Sequence, residues 1–179
     1  MGVIPTPQVV AAVVSGQIDT SLPSHINRTI AGISAGAKIK AVVGNTETSQ
    51  RAPHMIGVVP KNSPIKTATD LVGKKIGVTT IGGCHEYTPY AWLGKNGIEN
   101  PKTKVEIHVL PLNSIEQALR QGDIDLATLH KVPGEILKEG EFDVVFSDYM
   151  TFGERMVEGR RISSASNISR SARMSFGIS

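Results

Sequence analysis

Residues 70–97 read DLVGKKIGVTTIGGCHEYTPYAWLGKNG, and the reading of this stretch decides the fold. Lys75–Thr79 is a short β-type run, Gly82 and Gly83 make a turn, and Cys84–Asn96 has the length of a helix that Gly97 closes. The alternation continues downstream. Val105–Leu110 reads as a strand with apolar character throughout, and Ser114–Gln121 as a helix capped by Asn113 or Ser114 and stopped by Gly122. Ile124–Leu129 is a strand, Pro133–Glu139 a helix and Phe142–Phe146 a strand. Strands alternating with helices of this length predict an α/β fold with parallel pairing and helices over both faces.

Upstream the pattern is looser. Gln8–Ser15 reads as the end of a helix, Asp19–Leu22 as a short strand, and Ser24–Ser34 as a helix with Ser24 as its N-cap. Ile39–Val43 follows as a buried strand, 45–53 is polar and turn-rich, Met55–Pro60 is a strand, and 62–69 is a loop ending in a short helix start at Thr69. One echo links the halves: VSGQID at 14–19 resembles RQGDID at 120–125. In both, a glycine able to adopt the left-handed conformation ends an apolar helix ahead of an Ile-Asp pair. The echo is either a generic helix-to-strand turn or a sign of two lobes of similar topology.

Composition narrows the function classes. The 179 residues carry 19 Lys and Arg against 16 Asp and Glu, a formal net charge of +3. Four of those arginines (160, 161, 170 and 173) fall in residues 159–179, which hold no acid, so residues 1–158 carry a net charge of −1. A nucleic-acid partner loses its main support, and eight aromatics are few for a single-strand stacking platform. The single cysteine, Cys84, excludes an internal disulfide framework and any multi-cysteine metal site. No apolar run approaches the ~18 residues of a membrane span, and Val9–Val14 lacks the basic flank of a secretory signal. Residues 159–179 are one-third serine and show no sustained apolar period. They are expected to be disordered or weakly docked, either as a basic tail or as sequence foreign to the fold, and the abrupt change of composition favours the latter.

Candidate chemistry concentrates in Thr79–Glu86. A strand leading into a helix start directs backbone N–H groups outward at the positive end of the helix dipole, which suits anions or polar ligands. A plain tight turn is the competing reading. The stretch is neither a P-loop nor a dinucleotide fingerprint. Cys84 at a helix N-terminus raises a thiolate reading, but His85, about 100° away around a helix, is poorly placed as its base. The five histidines share no H-x-x-x-H or H-x-H spacing, so no metal is expected. His25 and His130 each follow a strand beyond one of the two glycine turns. With Ser24, Thr128 and Lys131 they are candidate pocket residues, because ligands gather at the carboxyl ends of strands in α/β sheets. No pair of carboxylates suggests acid–base catalysis, and no G-x-S-x-G elbow occurs.

These residues carry a resemblance. Asp70–Val78 is similar to the entry into the second lobe of ABC-importer solute-binding proteins, in particular the nitrate/sulfonate/taurine and pyrimidine-precursor group of the periplasmic binding protein type II superfamily. The likeness runs through the Gly-Gly-Cys-His helix start, Leu93–Ile98, Val109–Pro111 and Ala118–Asp125, and in the first lobe through Ser15–Asp19 and Ala35–Lys40. It implies two α/β lobes, the first incomplete and the second nearly complete. Residues 1–54 would be part of lobe one, 55–60 a hinge strand, 61–147 lobe two, 148–158 the return crossing, and 159–179 a tail outside the fold. The chain thus resembles a fragment, without a signal peptide, of a periplasmic or cell-surface-tethered protein that is monomeric at full length. The implied function is binding a small organic or oxyanionic solute (sulfonate-, nitrate- or pyrimidine-like) for delivery to an ABC permease, with no cofactor and no covalent step. Thr80, Gly83, Cys84, His85, Thr128 and His130 would hold the solute from lobe two, Ser24 and His25 from lobe one, and Asn45 near the hinge. In that group the helix-start position held here by Cys84 is commonly a small hydroxyl residue, which leaves the ligand open. The alternative is an enzyme on the same scaffold, desulfinase-like or pyrimidine-synthesis-like, using Cys84.

Overall fold

The computed structural model describes residues 4, 8–21, 24–131, 133–153 and 157–164. In chain order the elements are α1 (Val9–Val14), β1 (Ser24–His25), α2 (Ile26–Ser34), β2 (Ile39–Glu47), β3 (Ile56–Pro60), β4 (Lys75–Val78), α3 (Cys84–Lys95), β5 (Glu106–Val109), α4 (Ile115–Gln121), β6 (Leu126–Leu129), α5 (Pro133–Glu139), β7 (Phe142–Ser147), α6 (Asp148–Phe152) and β8 (Val157–Ser164). They form two units, Met1–Glu47 with Val157–Ser179, and Thr48–Met156.

In the first unit β8 lies between β1 and β2 and pairs antiparallel with both. This corrects the expectation for the start of the tail: 159–164 belong to a strand. Backbone donors and acceptors can complete a ladder whatever the side-chain period. The remainder, 165–179, lies outside the described residues. Ser24 opens β1 and does not cap a helix, and α2 begins at Ile26. Of the strand expected at 19–22, the described residues keep only an isolated bridge at Thr20. Nor is β2 buried throughout: Ile39 is covered, but Val42 remains 44% exposed. Its partner is the β8 backbone, with bulges along the pairing. A small apolar cluster of Val13 and Ile39, flanked by Val10, Ile18 and Ala37, holds α1 against the sheet. The echoed turns agree in conformation, with φ +75° at Gly16 and +77° at Gly122.

The second unit is a five-stranded sheet in the order β5-β4-β6-β3-β7. As the βα alternation predicts, β4 pairs parallel with β5 and β6. However, β3 runs antiparallel to both β6 and β7, so the sheet is mixed. Helices cover both faces. On one, Ile76, Val78, Val59, Leu126 and Phe146 pack with Trp92 and Leu93 of α3. On the other, Ile56, Val58, Ala127 and Leu129 pack with Ile115 and Leu119 of α4 and Ile136 of α5. Two strand glycines permit this closeness. A Cβ at Gly57 would lie 2.3 Å from the Phe146 ring, and one at Gly77 would lie 2.3 Å from Ile124 Cδ1. The Phe146 ring in turn stacks on Trp92 with centroids 4.9 Å apart.

Register then defines the edge that matters. Ile56 at the start of β3 pairs with Leu129 at the end of β6 and with Ser147 at the end of β7. Because β3 is reversed, the residues entering it, His54 and Met55, stand at the same edge as those leaving β6 and β7, His130 and Asp148. The loop leaving β4 towards α3 opens there too, since β4 is parallel to β6.

Candidate functional site

The turn between β4 and α3 uses Gly82 at φ +71°, followed by Gly83 as an extended N-cap. Several N–H groups of this turn bond within it. Gly82 N–H donates to Glu86 Oε2 at 2.6 Å, and the N–H groups of Glu86 and Tyr87 donate to Gly83 O at 3.0 and 3.1 Å. A carboxylate therefore already sits at the helix start. Pro89 lies inside α3 and offers no N–H to the carbonyl one turn back, His85.

Cys84 begins α3 and is fully buried. Its Sγ lies 3.3 Å from His130 Nε2 and 3.7 Å from His54 Nε2. The rings of His54 and His130 are 4.4 Å apart between centroids, and those of His85 and His130 are 4.5 Å apart. Cys84, His54 and His130 offer three donor atoms, all within 4.8 Å of one another. The absence of a metal spacing along the sequence is thus no guide in space: three separate segments supply the set, and β-sheet register brings them together.

His85 turns instead into the sheet. Its Nδ1 lies 2.9 Å from Thr128 Oγ1 and 3.1 Å from Thr128 O. The single hydroxyl proton of Thr128 is donated to Gly77 O at 3.1 Å. Both neighbours of Nδ1 are thereby acceptors, so Nδ1 carries the ring proton. Thr128 and His85 are buried, and this chain of bonds clamps β4, β6 and α3 together behind Cys84.

Under His54 lies a polar pair. Thr48 Oγ1 accepts from His54 N–H at 3.2 Å and donates to Asp148 Oδ1 at 2.9 Å. Asp148 is completely buried, and its Oδ1 also accepts from Tyr149 N–H at 2.9 Å. Its Oδ2 has no hydrogen-bond partner among the described residues. Burial holds the His54 imidazole below its ordinary pKa, while the charge of Asp148 pulls the other way.

Of the residues singled out from sequence, Gly83, Cys84, His85, Thr128 and His130 converge here. Thr80 stands in the same turn, half-buried, its hydroxyl directed to Ile81 O at a long 3.4 Å. Ser24 and His25 form β1, with His25 inside the strand and not after it, and Asn45 lies in β2. The side chains of these three fall outside the described part. Sequence reasoning missed His54, Thr48 and Asp148. The available signal was positional: His54 stands two residues before β3 and Asp148 immediately follows β7.

A model of the NMT1/THI5-like family matches residues 4–153. A search of curated proteins returns no match. Among solved structures, the chain is similar to the periplasmic aliphatic sulphonate binding protein SsuA from Escherichia coli, at 21% identity and TM-score 0.74, covering 94% of this chain and 52% of that one. The alkanesulfonate-binding protein SsuA from Xanthomonas axonopodis pv. citri bound to MOPS matches at 20% identity and TM-score 0.64, covering 96% and 55%. A putative sulfonate ABC transporter periplasmic protein from Methylobacillus flagellatus matches at 20% identity and TM-score 0.68, covering 94% and 49%. The chain spans about half the length of these structures. The fold is that of periplasmic binding proteins of type II, and the chain belongs to the NMT1/THI5-like family.

Proposed function

We propose that the protein recognises a small organic or oxyanionic solute for an ABC-type importer, working with a permease on the periplasmic side or the cell surface. The observation that carries this reading is the convergence of Cys84, His85, Thr128 and His130 at the carboxyl edge of the sheet, where α/β folds hold their ligands. The family match over residues 4–153 and the sulfonate-binding names of the similar structures support it. Thr80, Gly83, Cys84 and His130 would meet the solute, with His85 and Thr128 bracing them from behind. Because a carboxylate occupies Gly82 N–H, an anion would be selected by imidazole and hydroxyl donors more than by the helix start. Binding of this kind needs no covalent step by Cys84.

The test is a thermal-shift screen of the 179-residue chain against alkanesulfonates, nitrate, bicarbonate and pyrimidines. A solute at 100 times its Kd adds about 2.7 kcal/mol of stability and raises the Tm. At least one class is expected to do so. No shift from any of the four contradicts the reading.

A further inference from the structure

We propose that His54, Cys84 and His130 form a binding site for a zinc-class divalent transition-metal cation, with a fourth coordination position left to water or to a solute oxygen. Two imidazoles and one thiolate are the donor set that borderline-soft first-row cations prefer. Around a tetrahedral ion with bonds of about 2.3 Å to sulfur and 2.0 Å to nitrogen, sulfur and nitrogen sit about 3.5 Å apart. The observed separations, 3.3 Å to His130 and 3.7 Å to His54, bracket that value, and the three donor atoms together span up to 4.8 Å, so the two imidazoles would draw together around an ion. Among the described residues the group counts three protein ligands, one fewer than a tetrahedral ion takes. That pattern belongs to sites that engage an exogenous ligand, as opposed to closed structural sites.

A second observation points the same way. Asp148 is a buried carboxylate whose Oδ2 lacks a hydrogen-bond partner among the described residues, and its charge acts on His54. Burying a carboxylate without compensation is costly. A dication held by His54 would supply the compensating charge. Thr48 fixes this carboxylate and the His54 backbone at once. The three ligands come from the segment before β3, the start of α3 and the end of β6, all positioned by one sheet edge. An ion there would give an oxyanionic solute a cationic anchor. That last role rests on the transport reading; binding of the ion does not.

The experiment is a cobalt(II) titration of the full chain, reduced and freed of metal with EDTA. One equivalent is expected to bind, with a thiolate-to-cobalt charge-transfer band and tetrahedral d–d bands that zinc displaces. Cys84→Ser should abolish the charge-transfer band. His130→Gln, at an exposed position that tolerates change, should weaken binding at least tenfold. Asp148→Asn should keep the band but weaken binding by about 10- to 100-fold. No charge-transfer band in the folded wild-type chain overturns the proposal, as does a band of unchanged affinity in both His54→Gln and His130→Gln. Running the solute screen in EDTA and again with zinc separates the two readings. A solute shift without any cobalt band leaves transport standing and removes the metal. Cobalt binding without any solute shift does the reverse.

Discussion

Thr48 Oγ1 donates a 2.9 Å hydrogen bond to Asp148 Oδ1, joining residues one hundred positions apart at the edge of the second unit's sheet. Asp148 N–H closes a second link to Met55 O at 2.9 Å. The strand entering the sheet and the strand leaving it are thereby tied beside His54. Removing the hydroxyl in Thr48→Val strips one acceptor bond from a buried carboxylate and should destabilise the unit by about 1–3 kcal/mol. Urea denaturation followed by tryptophan fluorescence of Trp92 reads this directly. A change below about 0.5 kcal/mol would show that the bond contributes little.

The sheet glycines make a packing prediction. Gly57→Ala drives a methyl against the Phe146 ring, and overpacking of this kind costs about 1–3 kcal/mol. Phe146→Leu alone opens space and loses the stack on Trp92. The double variant should be less destabilised than the sum of the singles, because the leucine makes room for the alanine. Additive losses in urea melts would place the clash elsewhere.

The His85–Thr128–Gly77 bonds predict a tautomer. Nitrogen-15 chemical shifts of the folded protein should report the Nδ1–H form of His85. Thr128→Val takes the hydroxyl donor from the buried Gly77 carbonyl and one of two acceptors from the imidazole, and should cost about 1–3 kcal/mol. Finding the Nε2–H form would reverse the donor assignment.

Asp143 carries an acid-side dependence. It accepts from Lys61 Nζ at 3.0 Å and Lys66 Nζ at 3.1 Å, and these ammonium donors lower its pKa from 3.8 to about 2. A carboxylate whose folded pKa is depressed stabilises the fold above its unfolded pKa and loses that contribution as pH falls through the folded value. The contribution should therefore fade between about pH 4 and pH 2. Stability of Asp143→Asn should be flatter across that window than that of the wild type, and equal slopes would deny the pair any part in acid unfolding.

The βα series from Lys75 was legible because each helix is closed by a glycine and each strand is short and apolar: Gly97, Gly122 and Gly140 all take positive φ. The reversal of β3 was not, since strand direction depends on partners about 70 to 90 residues away, Leu129 and Ser147. That reversal is also why His54 and Asp148 escaped notice: only pairing register brings them beside Cys84. His130 and Thr128 stand out in the sequence because the rule about carboxyl ends of strands needs local sequence alone. The strand at Val157–Ser164 was hidden by composition, for a serine- and arginine-rich segment can pair through its backbone without any apolar period.

Isothermal titration asks whether the sheet edge around Cys84 and His130 holds a solute. Alkanesulfonates, nitrate, bicarbonate and pyrimidines are titrated into the wild-type chain and into His130→Ala and Thr80→Ala. The account predicts a saturable heat from at least one solute and binding at least about tenfold weaker, or 1.4 kcal/mol, in His130→Ala. No saturable heat from any of the solutes, or affinity unchanged in both variants, would contradict it.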